Sequence, residues 1–239
     1  MLVYPVGFLK TVLAPVTGMS CWLRGDTVTL NGSNVSSWTD KSGNGRHFIQ
    51  GTAGDQPLYV ASGGAGGQPY VDSQGADWLT SDTGSGSADF VTSTAKTFFM
   101  VFKVETTGNG GLLSADSGAA EAVIGIRMQS STGLFATNFD GSQDSTSAGS
   151  VNISMSTWSA LQCTHDGSTL SLLVSGFAAA TVSSGSTSGI SNFQFKLMKN
   201  NHAVLDCHVA ELLTYNTVLS AANLSKNRAY ITSRYGITW

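Results

Sequence analysis

The stretch that decides the fold is residues 158–176, which read WSALQCTHDGSTLSLLVSG. Two runs with the alternating pattern of strands flank the dipeptide Asp166-Gly167. Asp tolerates the positive φ of a tight hairpin turn, and Gly has no Cβ to clash there. A second turn signal, Ser175-Gly176, follows one strand length later. The stretch therefore predicts two antiparallel strands joined by a tight turn.

Further strand candidates lie on both sides of this hairpin. Residues 97–104, TFFMVFKV, are apolar on both faces, which is typical of a central strand covered on both sides. Charged residues make up only 11% of the chain, and 28 glycines allow many turns, so the composition also favours an all-β fold. The other predicted strands are 123–128, 133–138, 159–164, 169–174, 193–197 and 207–215.

One helix is predicted near the end of the chain. Ser220 is a suitable N-cap, Tyr230 and Ile231 lie near one helical face, and Gly236 after Tyr235 is a suitable C-cap. Loops rich in Gly, Ser and Asp are predicted at 63–67, 84–87, 140–149 and 183–191.

Four stretches together resemble the concanavalin A-like (laminin-G-like) domains. The hairpin resembles that family's "W-x-x-L…D-G…L-x-L-Y-V-N-G" segment, with Ser175 where the family often has Asn. Residues 38–48, WTDKSGNGRHF, are similar to its early loop, and residues 210–220, AELLTYNTVLS, to its late strand and turn. The closing helix AYITSRYGIT resembles that of bacterial and bacteriophage members. The resemblance implies a concanavalin A-like antiparallel β-sandwich with one short C-terminal helix, but it implies no particular function.

The charge pattern excludes some classes of partner. The net charge is −3, and the 12 Lys and Arg residues are scattered, so no basic surface for nucleic acid is expected. No run of about 20 uninterrupted apolar residues occurs, so no membrane span is expected.

The three cysteines, Cys21, Cys163 and Cys207, do not form a framework. Their odd number and the absence of C-x-x-C spacing indicate neither a disulfide network nor a zinc site. Cys163 and Cys207 lie in predicted strands, so we expect buried free thiols, with a single bridge between these two as the alternative.

Acidic residues offer weak candidates for ligand binding. Asp40 and Asn44 could supply oxygens to Ca²⁺, but one carboxylate and one amide fall short of the six to eight donors required. We therefore expect no metal or other cofactor, with calcium as the alternative. Asp72, Asp77 and Glu211 are likewise predicted to be structural hydrogen-bonding residues.

Catalytic patterns are absent from the sequence. None of the glutamates Glu105, Glu121 and Glu211 has an Asp two residues later, so the paired acids of glycosidases on this fold are missing. No G-x-S-x-G nucleophile elbow occurs, and His202 and His208 lack metal-ligand spacing. We expect no catalytic residue and no enzymatic activity.

The five tryptophans admit two interpretations, a sugar-stacking platform or core anchors. Trp22, Trp38, Trp78 and Trp158 fall at positions where the family has core aromatics, so burial is predicted for them. Trp239, at the terminus, fits either interpretation.

Residues 1–20 are predicted to be an apolar arm that precedes a sandwich over 21–239. Lys10 in the middle and Pro5, Gly7 and Pro15 do not suit a signal peptide, so the arm is expected to be retained. An apolar arm with no strand position must bury itself in its own domain or in a partner. The candidate partner-anchoring residues are Tyr4, Val6, Phe8, Leu9, Val12 and Leu13.

These features favour a non-enzymatic bacteriophage virion protein, either a head decoration, a fibre or a tail component. The arm would attach it to capsid or tail proteins, in many copies or as a homo-oligomer, and host-surface glycan would be a further ligand. The first alternative is a free bacterial carbohydrate-binding module or lectin, secreted or at the cell surface. The second, less favoured, is a glycoside-active enzyme.

Overall fold

The computed structural model describes residues 13–82, 95–106, 108–116, 121–128, 133–138, 146–183, 194–200 and 203–239. Within these ranges the chain forms sixteen strands, two 3-10 helices (Ala53–Asp55 and Ala65–Gly67) and one α-helix, α1 (Ala221–Tyr235). The strands are β1 (Cys21–Asn31), β2 (Asn34–Asp40), β3 (Phe48–Ile49), β4 (Leu58–Val60), β5 (Tyr70–Asp72), β6 (Leu79–Ser81), β7 (Ala95–Val104), β8 (Gly111–Asp116), β9 (Glu121–Met128), β10 (Gly133–Asn138), β11 (Thr146–Asn152), β12 (Ser159–Asp166), β13 (Thr169–Val174), β14 (Ala180–Ser183), β15 (Gln194–Leu197) and β16 (Cys207–Tyr215).

The strands form two antiparallel layers. Layer A has the order β5-β16-β7-β12-β13-β14, and layer B has the order β2-β3-β6-β15-β8-β9-β10-β11. β1 pairs with both β16 and β2, and β4 pairs with β2 and β5, so the two layers are continuous along one edge. Side chains from both layers form one apolar cluster between them, which we call the inner core. The all-β prediction with one short C-terminal helix is confirmed.

β7 is buried on both of its faces, as its apolar sequence predicts. Phe98, Met100 and Phe102 point into the inner core, because alternate residues of a strand share a face. Phe99 and Val101 point outward and are covered by α1. This second cluster, the helix-side core, includes Phe99, Val101, Ala160, Leu213, Tyr230 and Ile231.

β16 contains a β-bulge that changes which residues face α1. Val209 pairs with Phe102, but the next partner of β7, Val101, pairs with Glu211, so Ala210 is the extra residue. Ala210 belongs to the helix-side core, and Glu211, opposite the outward Val101, also lies on that side. Without the bulge, strict alternation would turn Glu211 toward the inner core.

The decisive hairpin forms as predicted, but its tip lies one residue later than the Asp-Gly pattern indicates. His165 pairs with Leu170, which places Gly167 and Ser168 at the tip. Gly167 has φ 101°, a conformation that favours glycine. Asp166 precedes the tip, where its Oδ1 accepts the Ser168 N–H at 2.8 Å. Asp therefore closes the turn with its side chain and does not occupy the positive-φ position.

Among the described residues the other predicted strands agree with the structure, whereas the predicted loops 140–149 and 183–191 each overlap a strand, the second at Ser183, the last residue of β14. The predicted strands 133–138 and 207–215 coincide with β10 and β16. The predicted loop 140–149 is wrong at its end, because Thr146 begins β11, which pairs with β10. A Ser, Thr and Gly composition suits both loops and edge strands, so composition could not separate them. Residues 84–87 and 184–191 lie outside the described ranges.

α1 has the caps that the sequence predicts. The Ser220 hydroxyl accepts the Asn223 N–H at 3.3 Å, and Gly236 adopts φ 71° at the C-terminus. Tyr230 and Ile231 pack on the outer face of layer A, so the helix covers one part of that face. Among the described residues, no helix has both the length and the apolar character needed to cross a membrane.

Candidate functional site

The outer face of layer A continues beyond the end of α1, and strand register places a row of functional side chains there. His208 on β16 pairs with Lys103 on β7 and with Asp72 on β5. Trp158 stands one residue before β12, beside Lys103 in the same row. Residues two apart on a strand share a face, which adds Tyr70 and Glu105. We call this set the outer row: Tyr70, Asp72, Lys103, Glu105, Trp158 and His208.

Three rings of the outer row are in contact. The Trp158 ring meets Tyr70 edge to face, with 5.3 Å between ring centroids. Tyr70 stacks on His208 at 4.7 Å, with an interplanar angle of 19°. The Lys103 Nζ lies 5.7 Å from the Trp158 ring centroid, within the range of a cation–π interaction. These contacts fix the Trp158 ring from one side and leave it half-buried.

The charged groups of the outer row converge on His208. Lys103 forms an ion pair with Glu105, and His208 Nε2 lies 3.5 Å from both Asp72 Oδ1 and Glu105 Oε1. Burial lowers the pKa of His208, while the Asp72 carboxylate acts in the opposite direction. Partial burial would raise the pKa of Glu105, but the hydrogen bonds from Lys103 and Ser156 outweigh it, so this pKa is lowered.

Trp158 also borders an open groove of about 560 Å³, which we call the Trp158 groove. Phe177, which is 36% exposed, also lines this groove. Residues 236–238 and the last residue of α1, Tyr235, form one side. The Ser and Thr side chains that line it are Ser154, Thr157, Ser159, Ser175 and Thr238. Aromatic faces next to many hydroxyl donors and acceptors suit a ligand that is itself rich in hydroxyl groups.

Glu211 lies on the same face of layer A but beneath α1. It is 1% exposed, and its Oε1 accepts the Trp22 Nε1–H at 2.5 Å and the Tyr230 hydroxyl at 2.7 Å. Burial raises the pKa of Glu211, although these donors act to lower it. The contacts join β16, β1 and α1, which agrees with the structural role predicted for this residue.

The two calcium candidates are engaged in a turn. Asp40 Oδ1 accepts the Ser42 N–H at 2.8 Å, and Oδ2 accepts the Ser42 hydroxyl at 2.8 Å and the Arg46 N–H at 3.0 Å. Asn44 Nδ2 donates to the Met19 carbonyl at 2.9 Å. Across the described ranges, no three His, Cys, Asp or Glu side chains gather as a metal ion would require. The absence of a metal stays the prediction, with calcium at this turn as its untested alternative.

Of the two acids predicted to be structural in residues 71–80, only Asp72 lies in the outer row. Its Oδ1 accepts the Gln74 N–H at 2.8 Å. Asp77 is 9% exposed and lies outside the outer row, and burial, followed by the charge of Asp55, raises its pKa.

The tryptophans do not all lie in the core. Trp38 is fully buried in the inner core, as predicted. Trp22, Trp78 and Trp158 are only half-buried, which corrects the prediction of burial for them. Trp22 and Trp158 lie on the outer face of layer A, which a single helix covers only in part. Trp239 is half-buried against the helix-side core.

The three cysteines are free and buried. Cys163 and Cys207 both point into the inner core, and burial raises the pKa of the Cys163 thiol to about 12. β7 separates their strands, and Cys207 pairs with Val104 whereas Cys163 pairs with Phe98, so the two cysteines are also offset along β7 and stand farther apart than two strand spacings of roughly 9.5 Å. A disulfide needs Cα atoms within about 7 Å, which explains why the alternative of a bridge does not occur.

The described part of the N-terminal arm packs against its own chain. Val16 N donates to Asn227 Oδ1 at 2.8 Å, and the Tyr215 hydroxyl donates to the Val16 carbonyl at 2.8 Å. Met19 packs on the helix-side core, and Leu13 is 43% exposed. The other anchoring candidates, Tyr4, Val6, Phe8, Leu9 and Val12, lie outside the described residues.

The sequence did not single out the outer row as a site. Its members come from four strands or strand ends that are far apart in the chain, and only the register brings them together. A signal was present in Lys103, the one charged residue in 97–104, and in His208 near the start of β16. Both interrupt apolar runs at positions that share the outer face.

Comparisons with known proteins found solved structures similar to this chain, but no match to its sequence. No protein-family model matches the chain, and no curated protein matches it. Domain 4 of AbnA, an extracellular arabinanase from Geobacillus stearothermophilus solved with arabinotriose, has TM-score 0.61 and 16% identity, with 87% of this chain and 97% of that domain covered.

Two other similar structures are longer than this chain. The botulinum neurotoxin serotype G binding domain has TM-score 0.61 and 10% identity, with 89% of this chain and 50% of the domain covered. Trypanosoma rangeli sialidase, solved with the inhibitor DANA, has TM-score 0.57 and 13% identity, with 89% of this chain and 33% of the sialidase covered. The chain thus spans half of the neurotoxin domain and a third of the sialidase. At these identities the likeness concerns the fold.

Proposed function

We propose that this chain is a glycan-binding β-sandwich domain of concanavalin A-like architecture, which holds an oligosaccharide in the Trp158 groove without catalysis. The observation that carries the proposal is the half-buried Trp158 ring beside Phe177 and five Ser and Thr side chains. This is the second of the functions that the sequence suggested, a carbohydrate-binding module, and it would act in a secreted or cell-surface setting.

The similar structures support this proposal through the ligands with which they were solved. The arabinanase domain is in complex with arabinotriose, and this chain matches nearly the whole of that domain. A botulinum neurotoxin DC binding domain of similar fold has been solved with SialylT and also with rat synaptotagmin II. A protein partner is therefore the main competing outcome of a binding test.

The physical basis of binding would be stacking combined with hydrogen bonds. The C–H faces of a sugar ring can pack on the Trp158 indole and leave water, while the sugar hydroxyls exchange hydrogen bonds with the groove. Tyr70 and Lys103 hold the indole in place, so little side-chain entropy is lost when a ligand arrives. An open groove, unlike a closed pocket, also admits the interior of a long chain.

Binding without catalysis is part of the same proposal. Glu211 is beneath α1, so within the outer row the acids open to a hydrolytic mechanism are Asp72 and Glu105. Both already contact His208, and Glu105 is also paired with Lys103. Release of reducing ends from a glycan, lost on Asp72→Asn, would replace the proposal with a hydrolase.

The test compares two tryptophans on the same sheet face. Trp158→Ala should weaken oligosaccharide binding about thirtyfold, since a central Trp anchor contributes about 2 kcal/mol. Calorimetric titration with arabinotriose, and with any other hit from a glycan array, measures the change. Trp22→Phe is the control, because it removes the hydrogen bond to Glu211 and lies under the helix. Its effect should be on stability, with binding unchanged. If Trp158→Ala bound the oligosaccharide as tightly as the parent protein, the Trp158 groove would be rejected as the binding site.

The virion hypothesis stays a prediction. Five of its six anchoring residues lie outside the described ranges, and the segment after them bonds to α1 and β16 of the same chain. Attachment to capsid or tail proteins, and assembly in many copies, therefore has no support from the described residues. The virion hypothesis is compatible with glycan binding, because the two surfaces use different parts of α1. The Trp158 groove meets α1 at Tyr235, whereas the pocket formed by residues 13–17 meets it at Asn223, Lys226 and Ala229.

A further inference from the structure

Ser175, which lines the Trp158 groove, alters the hydrogen bonds at the end of the β12–β13 hairpin. Ser175 N donates to the Ala160 carbonyl at 2.8 Å, as in a regular antiparallel pair. In such a pair the second bond runs from the Ala160 N–H to the Ser175 carbonyl. The Ala160 N–H donates instead to the Ser175 side-chain oxygen, Oγ, at 3.0 Å. The side chain thus takes the place of its own carbonyl in the sheet.

This exchange leaves two groups of Ser175 for a ligand. A serine hydroxyl has one hydrogen and two lone pairs, and the Ala160 N–H occupies one lone pair, so the hydrogen can still be donated. The Ser175 carbonyl accepts no hydrogen bond from any of the described residues. Ser175 is half-buried and belongs to the lining of the groove, so a ligand there meets one donor and one acceptor on the same residue.

Two neighbouring hydroxyl groups of the groove differ from Ser175. The Thr157 hydroxyl donates to the Met155 carbonyl at 3.2 Å, so its hydrogen is already used within the chain. Ser159 is only 5% exposed and has little surface to offer. The bond from the Ala160 N–H also fixes the Ser175 hydroxyl oxygen in position, so little side-chain entropy is lost when a ligand binds to it.

From this arrangement we infer that Ser175 is a specificity-determining residue of the Trp158 groove, and that the groove selects glycans with an unsubstituted hydroxyl beside it. The inference rests on the proposed function, because it concerns the ligand of the same groove. A sugar hydroxyl can accept the Oγ–H and donate to the carbonyl at the same time. An ether or ester oxygen cannot donate, and a deoxygenated carbon does neither. A site that bonds a hydroxyl rejects a ligand without one, because its own polar groups then stay unpaired.

The test removes one hydroxyl at a time from the sugar. Calorimetric titrations compare arabinotriose with a set of arabinotrioses that each lack a single hydroxyl; if a glycan array gives a tighter trisaccharide, its deoxygenated set is used. We expect one analogue to bind about tenfold more weakly than its parent sugar, which corresponds to the loss of two neutral hydrogen bonds. Deoxygenation adds no bulk, so steric exclusion cannot produce this loss.

Three variants assign the discrimination to its residue. In Ser175→Ala, the sugar and the weak analogue should bind within about twofold of each other, because the hydroxyl is gone and the Ala160 N–H can return to the carbonyl. Ser175→Thr keeps a hydroxyl and should keep the discrimination. Ser171→Ala is the matched control, since Ser171 lies on the same face of β13 but outside the groove lining, and it should leave the discrimination unchanged.

The outcomes separate this inference from the proposed function. If every deoxygenated trimer bound as tightly as its parent sugar, and Trp158→Ala weakened the binding of all of them, the inference would be overturned and the glycan site kept. Discrimination that persisted in Ser175→Ala would assign the hydroxyl contact to another residue and remove the role of Ser175. Failure of every sugar to bind, with Trp158→Ala indistinguishable from the parent protein, would overturn the proposed function and the inference with it.

Discussion

The outer face of layer A has a half that α1 covers and a half that it leaves open. The same strands, β16, β7 and β12, build both halves, and the β-bulge at Ala210 shifts the register of β16 between them. In the covered half, Glu211 bonds to Trp22 and Tyr230 and fixes the helix. In the open half, Glu105 pairs with Lys103 beside His208. The difference shows that burial beneath α1, and not the type of residue, decides whether an acidic side chain joins structural elements or is open to a ligand.

The two halves also shift the pKa of glutamate in opposite directions. In the covered half, burial dominates and raises the pKa of Glu211. In the open half, burial alone would raise the pKa of Glu105, but the hydrogen bonds from Lys103 and Ser156, together with the positive charge of Lys103, outweigh it, and the pKa is lowered. Two chemically identical groups on one sheet face thus respond to pH in opposite ways, which makes the comparison measurable.

The largest effect is expected when the covered half loses packing. Ile231→Ala removes a side chain that is 1% exposed in the helix-side core, so unfolding should be easier by about 2–5 kcal/mol. Urea denaturation measures the loss, and Ser225→Ala, on the exposed side of α1, is the control. Glycan affinity of the folded fraction should stay unchanged. If the glycan affinity of the folded fraction fell together with the free energy of unfolding, the covered half and the open half would not be independent.

An intermediate effect is expected from pH, with opposite signs for the two glutamates. The raised folded pKa of Glu211 gives stability that is complete below its ordinary pKa of 4.5 and is lost as pH rises through the folded value. Glu211→Gln should therefore gain stability relative to the parent as pH rises above about 4.5. Each tenfold difference in proton affinity between the folded and unfolded chain corresponds to about 1.4 kcal/mol of this gain.

Glu105 supplies the matched comparison. Its folded pKa is lowered, so its contribution to stability is present above 4.5 and is lost as pH falls through the folded value. Glu105→Gln should lose stability relative to the parent as pH rises through that window, the reverse of Glu211→Gln. Thermal denaturation from pH 3 to pH 8 reports both differences, since about that range brackets carboxyl titration. If the stability of both variants relative to the parent changed with pH in the same direction, the opposite pKa shifts of the two glutamates would be contradicted.

The smallest effects should come from the two ends of α1. Ser220→Ala removes the N-cap bond to Asn223, and Gly236→Ala places a Cβ at φ 71°; each should cost about 1 kcal/mol. Gly236 lines the Trp158 groove and Ser220 does not, so only Gly236→Ala should also change glycan affinity. Paired denaturation and titration check this, and an affinity change in Ser220→Ala would contradict it.

The sequence predicted the elements better than the site. Alternation identified β13, an apolar run identified β16, and local capping chemistry identified Ser220 and Gly236, because these signals lie within a few residues of one another. The outer row depends on the pairing of β5, β7 and β16, which lie far apart in the chain. The family pattern for Trp158 predicted core burial, because a pattern does not say where α1 stops covering the sheet.

The β-bulge at Ala210 has a consequence for any alignment of this chain with a relative. A sequence that lacks the extra residue must carry a one-residue gap there, or every later position of β16 is matched to a residue from the opposite side of the sheet. Leu212, which is in the inner core, would then be compared with residues that meet the helix, as Leu213 does. At 16% identity or less, one such gap decides whether an alignment compares equivalent atoms.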